Sequence, residues 1–218
     1  APEPETVELE DVTIDHEPLD AWLKPRQADG LAVYVSGNAT PGQGDVVALA
    51  IVDKQRHAVS KLAADLSAAE DAAVKQWLES DAPKFMHEAK AAYHMLRGRG
   101  ISLAGVAHDT AIAAYLLRPG QRTYALEDIY QRHLQRQLNV GSDQMSLLGD
   151  TADTDAAAAI LELSAELAKE LREINSYELY ADLELPLVTV LAEMEHIGIA
   201  VDLDVLENQR KDFAHTVE

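Results

Sequence analysis

The sequence contains no cysteine and no long apolar run. None of its 218 residues is Cys, so neither disulfide bonds nor thiolate metal sites can form. No apolar stretch approaches the ~18 residues that a membrane-spanning helix requires, and no charged-then-apolar signal peptide opens the sequence. We therefore expect a cytoplasmic protein that has no membrane partner.

Basic residues are scarce. The chain has 18 Lys and Arg residues against 38 Asp and Glu residues, which gives a formal net charge of −20. Proteins that bind nucleic acids by neutralising phosphates usually carry a basic surface, so we expect this chain alone to bind DNA weakly or not at all. The main local exception is the basic turn LRGRG at residues 96–100. Apolar residues make up 47% of the chain, which is typical of a globular protein.

Neither end of the sequence looks like a natural boundary. Residues 1–17 are rich in Pro and Glu and are predicted to form a linker or edge segment. The chain starts with Ala instead of Met, and its last residues continue a helical pattern without a Gly or Pro stop. We expect a piece of a longer chain; the alternative is a complete protein that has lost its initiator Met.

Strand patterns come first in the sequence. LAVYVSGNAT (residues 31–40) alternates and is rich in Val and Tyr, and VVALAIVD (46–53) is a continuous apolar run. Both patterns are typical of β-strands. Residues 55–61 and 84–87 hold shorter strand candidates, and GIAVD (198–202) is predicted to form one more short strand.

Helical patterns dominate the remainder of the chain. Asp109 is predicted to be the N-cap of the helix TAIAAYLL, and Pro186 is predicted to begin a new helical segment. Residues 139–155 are polar and are predicted to form a mobile loop. Strands followed by many helices predict an α/β fold with a small mixed sheet flanked by helices.

Two blocks of sequence resemble a known family. Residues 84–134 contain G-I-x-L-x-G-x-x-x-D-T and Y-L-L-x-P, and resemble the middle of the proofreading 3′–5′ exonuclease domain of the bacterial DNA polymerase I family. Residues 180–206, YADLELPLVTVLAEMEHIGIAVDLDVL, are similar to the entry into the polymerase domain of the same family. The resemblance implies an RNase H-like (DnaQ-like) exonuclease fold over residues 18–176 and the first polymerase (thumb) helices over residues 177–218.

The resemblance also implies which residues should carry the chemistry. Active members of the family cleave a phosphodiester with two divalent cations such as Mg²⁺, which are held by carboxylates. The first motif, D-x-E, lies on a strand, where residues i and i+2 point to the same face; here Val35 and Gly37 occupy its two positions. The second motif, N-x-K-[YF]-D, reads EAKAA, so that Glu88 replaces Asn, Lys90 is retained and Ala92 replaces Asp.

The third motif of the family, Y-x-x-x-D, is also missing. The corresponding segment places Thr154 opposite Tyr and Ala158 opposite Asp, and no Y-x-x-x-D occurs in a nearby register. All four carboxylates are therefore absent from their positions. We predict a vestigial proofreading domain with no catalytic residue, no metal site and no cofactor of its own, while Mg²⁺ belongs to the parent polymerase.

Other acidic residues are predicted to have no role in catalysis. Asp182 and Glu184 spell D-x-E, but on a predicted helix residues i and i+2 point about 200° apart. Asp153 and Asp155 fall in the predicted loop, and Glu88 is expected to be solvated or paired with Lys90. Glu193 and Glu195 are likewise predicted to be solvated. His87 and His94 are predicted to be surface or packing residues, and His108 a structural one. Tyr115 and Tyr124 are spaced like core residues, with a nucleotide platform as the alternative.

These observations favour one function and leave two alternatives open. The favoured hypothesis is a part of a DNA polymerase for replication and repair, in which the degenerate domain supports the polymerase domain and separates it from a 5′ nuclease. Its partner would be the rest of its own chain, with DNA bound through the parent, and we expect a monomer. The alternatives are an active nuclease with a metal site rebuilt from other carboxylates, and a protein-interaction module with an acidic surface.

Overall fold

A computed structural model describes residues 12–138 and 150–217 of the chain. Their strands form one six-stranded mixed sheet in the order β1-β4-β3-β2-β5-β6. The strands are β1 (Thr13–Ile14), β2 (Leu31–Asn38), β3 (Asp45–Val52), β4 (His57–Leu62), β5 (Lys84–Met86) and β6 (Val106–Asp109). The short strand β1 lies within the segment predicted as a linker or edge, and it pairs with β4 in parallel.

Helices cover both faces of the sheet. In the described part of the chain they are α1 (Leu19–Arg26), α2 (Ala68–Leu78), α3 (Ala89–Gly98), α4 (Thr110–Leu117), α5 (Leu126–Leu134), α6 (Asp150–Glu173), α7 (Tyr177–Leu179), α8 (Leu185–Ile197) and α9 (Leu203–Val217). A 3₁₀ turn (Ala63–Asp65) follows β4, and a π-helical turn (Tyr180–Glu184) joins α7 to α8. The predicted α/β fold with a small mixed sheet flanked by helices is confirmed.

The antiparallel hairpin of β2 and β3 forms the centre of the sheet. The predicted apolar run becomes β3, and five of its residues in succession, Ala48–Val52, are buried because helices pack on both sides of this strand. The register pairs Val33 with Ile51 and Val35 with Leu49. A bulge between Ser36 and Gly37 interrupts the pairing near the end of β2.

Helix α6 lies close to the sheet because its contact face is made of alanine. Ala156–Ala159 are fully buried, and they meet small residues of the strands, among them Ala32 and Ala50. Small side chains on both surfaces let the helix and sheet backbones approach each other without voids. The opposite face of the sheet carries the larger core, which contains Trp22 and Trp77.

Two predicted helix starts are confirmed. The Asp109 carboxylate accepts hydrogen bonds from the backbone N–H groups of Ala111 (2.9 Å) and Ile112 (3.3 Å) at the start of α4. Pro186 stands in the first turn of α8, where its missing N–H costs no helical hydrogen bond. Among the described residues, no helix combines the length and the apolarity that a membrane crossing demands.

Two of the predicted elements are wrong. Residues 198–202 form no strand and are exposed, with Ile199 at 89% exposure, because no described strand lies beside them to pair with their backbone. The predicted loop ends early, since residues 150–155 already belong to α6. Acidic residues are favourable in a first helical turn, and the alanines that follow have the highest helix propensity. The predicted loop residues 139–149 lie outside the described residues.

The turn between β2 and β3 contacts α3 through glycine, which gives a stability prediction. A Cβ on Gly44 would lie 1.9 Å from the carbonyl oxygen of His94. We expect Gly44→Ala to lower the free energy of unfolding by about 3 kcal/mol, because two backbone segments must separate. Urea denaturation measures the change.

A glycine of the same turn supplies the matched control for this experiment. A Cβ on Gly42 would meet no atom within 4 Å, and its φ is +75°. Gly42→Ala should therefore cost only the strain of a left-handed backbone, about 1 kcal/mol. Equal losses for the two variants would show that the close contact at Gly44 carries no stability.

Candidate functional site

A cleft of about 530 Å³ lies at the end of β2, beside the start of α3. It brings together four of the six positions that the sequence assigned to the metal site, namely Val35, Gly37, Glu88 and Ala92. Its walls are completed by Tyr34, Ser36, His87, Ala91, Met95 and residues 123–127. The first two motifs of the family therefore meet in space, as the resemblance implies for an exonuclease fold.

The floor of this cleft is apolar. Val35 and Ala92 are 8% and 3% exposed, and both belong to the core cluster between α3 and the sheet. Their side chains carry no oxygen that could bind a hard cation such as Mg²⁺. These two positions do not fit a divalent metal.

Gly37 leaves no space for a side chain. Because of the bulge in β2, a Cβ on Gly37 would lie 2.1 Å from the carbonyl oxygen of Asp45 in the neighbouring strand. No side chain of any type can occupy this position while the backbone keeps its present path. Position 37 therefore lacks a glutamate, and the backbone of β3 leaves no space for one.

Thr154 and Ala158 do not reach the cleft. Both lie in α6, where Thr154 is 1% exposed and Ala158 is fully buried. Ala158 packs against Ala50 and Val52 of β3, on the helical face that is pressed against the sheet. The structure thus separates the assigned third motif from the first two.

Acidic side chains lie near the phenol group of Tyr34 in the cleft. Burial of the Tyr34 phenol raises its pKa, and the negative charges of Asp153, Glu127 and Glu88 add to this shift. Asp153 is in α6 and not in a loop as predicted. Within residues 12–138 and 150–217, no group of three or more His, Asp or Glu side chains is arranged to hold a metal ion.

Asp109 organises the start of α3 as well as that of α4. Its carboxylate accepts a hydrogen bond from the backbone N–H of Ala89 (2.7 Å), in addition to its two bonds to α4. Burial raises the pKa of the Asp109 carboxyl, and the backbone N–H donors oppose that rise. The residue before α3, Glu88, has φ +52°, a strained value for a residue with a side chain.

His87 lines the cleft and His108 is buried at the end of β6, so both pack in the interior as predicted. Burial lowers the pKa of His87 to about 4, and its Nδ1 lies 2.8 Å from Oγ1 of Thr110. Burial likewise lowers the pKa of His108 to about 4. Both rings are therefore neutral at pH 7, and His87 adds no positive charge to the cleft.

Three residues of α3, Lys90, Tyr93 and His94, contact α8 through their polar groups. Lys90 does not pair with Glu88 as considered above; its Nζ donates to Glu195 at 2.7 Å. His94 Nε2 lies 2.8 Å from the same carboxylate, and its side chain is 3% exposed. The hydroxyl group of Tyr93 donates to Glu193. Glu193 and Glu195, which were expected to be solvated, thus connect α8 to α3.

The π-helical turn is connected to the end of β6. Its first residue, Tyr180, is 1% exposed and its hydroxyl oxygen accepts a hydrogen bond from the backbone N–H of Asp109 at 2.6 Å. The Tyr180 ring also lies 5.1 Å from the ring of His108. A π-bulge inserts an extra residue into a helix, and such features are frequent at functional sites.

Comparison with known proteins identifies the family. Residues 38–145 match the model of the DNA polymerase I, ribonuclease H-like domain. The chain is 41% identical to DNA polymerase I of Mycobacterium tuberculosis over 211 residues, which cover 90% of this chain and 23% of that protein. The chain belongs to the DNA polymerase I family. It spans about a quarter of the length of this mycobacterial relative.

Solved structures agree with this family assignment. The polymerase domain of Pol1 from M. smegmatis, in complex with a DNA primer-template and dNTP, matches with a TM-score of 0.84 and 40% identity. That match covers 93% of this chain and 35% of the other. Escherichia coli RNase D matches with a TM-score of 0.66 and 14% identity over 84% of this chain and 51% of its own, which shows the shared RNase H-like fold.

The role of Asp109 in two helices leads to a prediction within this DNA polymerase I family member. Asp109→Ala removes the acceptor for backbone N–H groups of Ala89, Ala111 and Ile112. We expect a loss of roughly 3–4 kcal/mol in the free energy of unfolding, since these donors stay buried without a partner. Thermal and urea unfolding measure it.

Ser67→Ala is the comparison for this experiment, because Ser67 caps α2 only. Its expected cost is about 1 kcal/mol. An Asp109→Ala loss no greater than that of Ser67→Ala would contradict the role of Asp109 in two helices.

Proposed function

We propose that this chain is the exonuclease-like region of a family A DNA polymerase whose proofreading site is degenerate. Its role is to support the polymerase domain and to separate it from a 5′ nuclease. The parent protein extends DNA by adding deoxynucleotides in replication and repair, with Mg²⁺ bound at a polymerase site outside this chain. The resemblance to the mycobacterial polymerases supports the parent activity.

The chemistry of the cleft is the observation that supports a degenerate site. Two of the ligand positions hold the buried apolar side chains Val35 and Ala92, and the third, Gly37, cannot accept any side chain. A two-cation mechanism requires several oxygen donors that converge on one point. The first two motifs offer no such set, so hydrolysis by the family mechanism has no ligands there.

The observation that supports a structural role is the contact between α3 and α8. The helix that carries the second motif contributes Lys90, Tyr93 and His94 to hydrogen bonds with Glu193 and Glu195. Tyr180 adds a hydrogen bond to Asp109 at the base of the same helix. The side chains beside the former metal position thus hold the helix that leads into the polymerase domain.

We expect no nuclease activity from the purified chain. Incubation with end-labelled single-stranded DNA and Mg²⁺ or Mn²⁺ should release no mononucleotides beyond the level seen with EDTA, because the cleft lacks ligands for two cations. Gel electrophoresis of the labelled products measures the release.

The variant Glu88→Ala distinguishes an intrinsic activity from a contaminant in this assay. Metal-dependent release that this variant abolishes would overturn the degenerate-site proposal. It would favour a metal site rebuilt from other carboxylates of the cleft, such as Glu88 and Glu127.

The contact between α3 and α8 can be tested by removing its two carboxylates. We expect the double variant Glu193→Gln, Glu195→Gln to lower the free energy of unfolding by roughly 1–2 kcal/mol, because Tyr93 and the buried His94 lose charged partners. Backbone amides of α8 should then exchange with solvent faster. Hydrogen exchange followed by mass spectrometry measures this.

A second double variant removes the same number of negative charges and leaves the contact between α3 and α8 intact. Glu178 and Asp182 are exposed and precede α8, so Glu178→Gln, Asp182→Asn should change stability by less than about 0.5 kcal/mol. If both double variants exchange alike, the structural role assigned to Glu193 and Glu195 is wrong.

A further inference from the structure

A second cleft lies beside the first, between α3, α4 and α8, and has a volume of about 540 Å³. This volume is within the range of small-molecule sites. One wall is apolar and is formed by Ile112 of α4 and by Leu187, Val188 and Leu191 of α8. A ligand in this cleft would therefore need an apolar body.

Two tyrosines form the aromatic wall of this second cleft. The rings of Tyr115 and Tyr124 meet edge to face, with centroids 5.7 Å apart. Tyr124 is held in place because its hydroxyl group donates to the carbonyl oxygen of Arg118 (2.9 Å) and accepts from the N–H of Gln121 (3.1 Å). Tyr115 was expected to be a core residue, but it is 50% exposed. The ring of Tyr115 is therefore accessible to a ligand, and the partly exposed Tyr124 lines the cleft beside it.

The positive groups around the second cleft already have anionic partners. Lys90 and His94 share the carboxylate of Glu195. The N-termini of α3 and α4, which would attract an anion, donate to the buried carboxylate of Asp109. A phosphate or carboxylate ligand would thus have to displace an existing acidic side chain.

Two acidic residues of the second cleft take no part in these pairs. Glu88 and Glu184 line it, and within the described part of the chain neither carboxylate has a hydrogen-bond or ion-pair partner. Glu88 is held in a left-handed backbone conformation at the rim. The net charge of −20 adds to the negative potential. The charge of the cleft therefore favours a cation and disfavours nucleotides.

We propose that the second cleft binds a small organic cation with a flat apolar body, of the aromatic ammonium class. The apolar body would pack against Leu187 and Leu191, and the ammonium group would lie near the tyrosine rings and the free carboxylates. A cation over a tyrosine face is attracted by the ring quadrupole. This site goes beyond the proposed structural role, and neither depends on the other.

A matched pair of indole ligands tests the proposal. Tryptamine carries an ammonium group and indole-3-acetate a carboxylate on the same ring system. We expect tryptamine to bind the purified chain with a stoichiometry of one, at least about tenfold more tightly than indole-3-acetate. Isothermal titration calorimetry gives the affinities, and shifts of tyrosine ring signals in NMR spectra locate the ligand.

Variants link the affinity to this cleft. We expect the double variant Glu88→Gln, Glu184→Gln to weaken tryptamine binding by roughly fivefold and Tyr115→Leu by roughly threefold. Glu178→Gln, which removes an exposed charge elsewhere, should leave the affinity unchanged and so controls for general attraction to an acidic protein.

Three results would overturn the proposal. They are equal affinities for the two indoles, the same loss in Glu178→Gln as in the double variant, and no saturable tryptamine binding up to about 10 mM, the weak end for a ligand of this size. Circular dichroism of each variant confirms that a loss of binding does not reflect a loss of fold.

Discussion

The buried carboxylate of Asp109 is the interaction on which the arrangement of this molecule depends. Burial of an ionised group is costly unless its oxygens are hydrogen-bonded, and here the backbone N–H groups at the starts of α3 and α4 supply those bonds. Tyr180 bonds the backbone of the same residue from the π-helical turn. One side chain at the end of β6 thus fixes where α3 begins, and α3 in turn supplies walls of both clefts and the contact with α8.

The sequence predicted the features that depend on residues close to one another along the chain. The strand at residues 31–38, the apolar strand beside it and the Asp109 cap follow from local patterns and are present. The meeting of Val35, Gly37 and Ala92 in one cleft was available only through the family resemblance. The rotation of α6 about its axis could not be predicted, because its alanine face packs on strands that are distant in sequence. As a result Ala158 packs against the sheet and Thr154 is buried.

Long-range pairing explains the remaining errors. Lys90 and Glu195 are 105 positions apart, and no local pattern favours Glu195 over the nearby Glu88 as its partner. Tyr115 has the spacing of a core residue, yet the surface above it stays open between α4 and α8. Several acidic residues act within the molecule: Asp109 accepts from the N–H groups of two helix starts, and Glu195 pairs with Lys90 and His94. The net charge of the sequence does not reveal which acidic residues are paired within the molecule.

The bulge at Gly37 limits which substitutions β2 can accept. A side chain at this position collides with the backbone of β3, so the pairing of β2 with β3 would first have to change its register before a glutamate could be tolerated. A change of register by one residue would turn the buried side chains of β2 to the other face of the sheet. A carboxylate at position 37 therefore requires a rearranged hairpin as well as an exchanged residue.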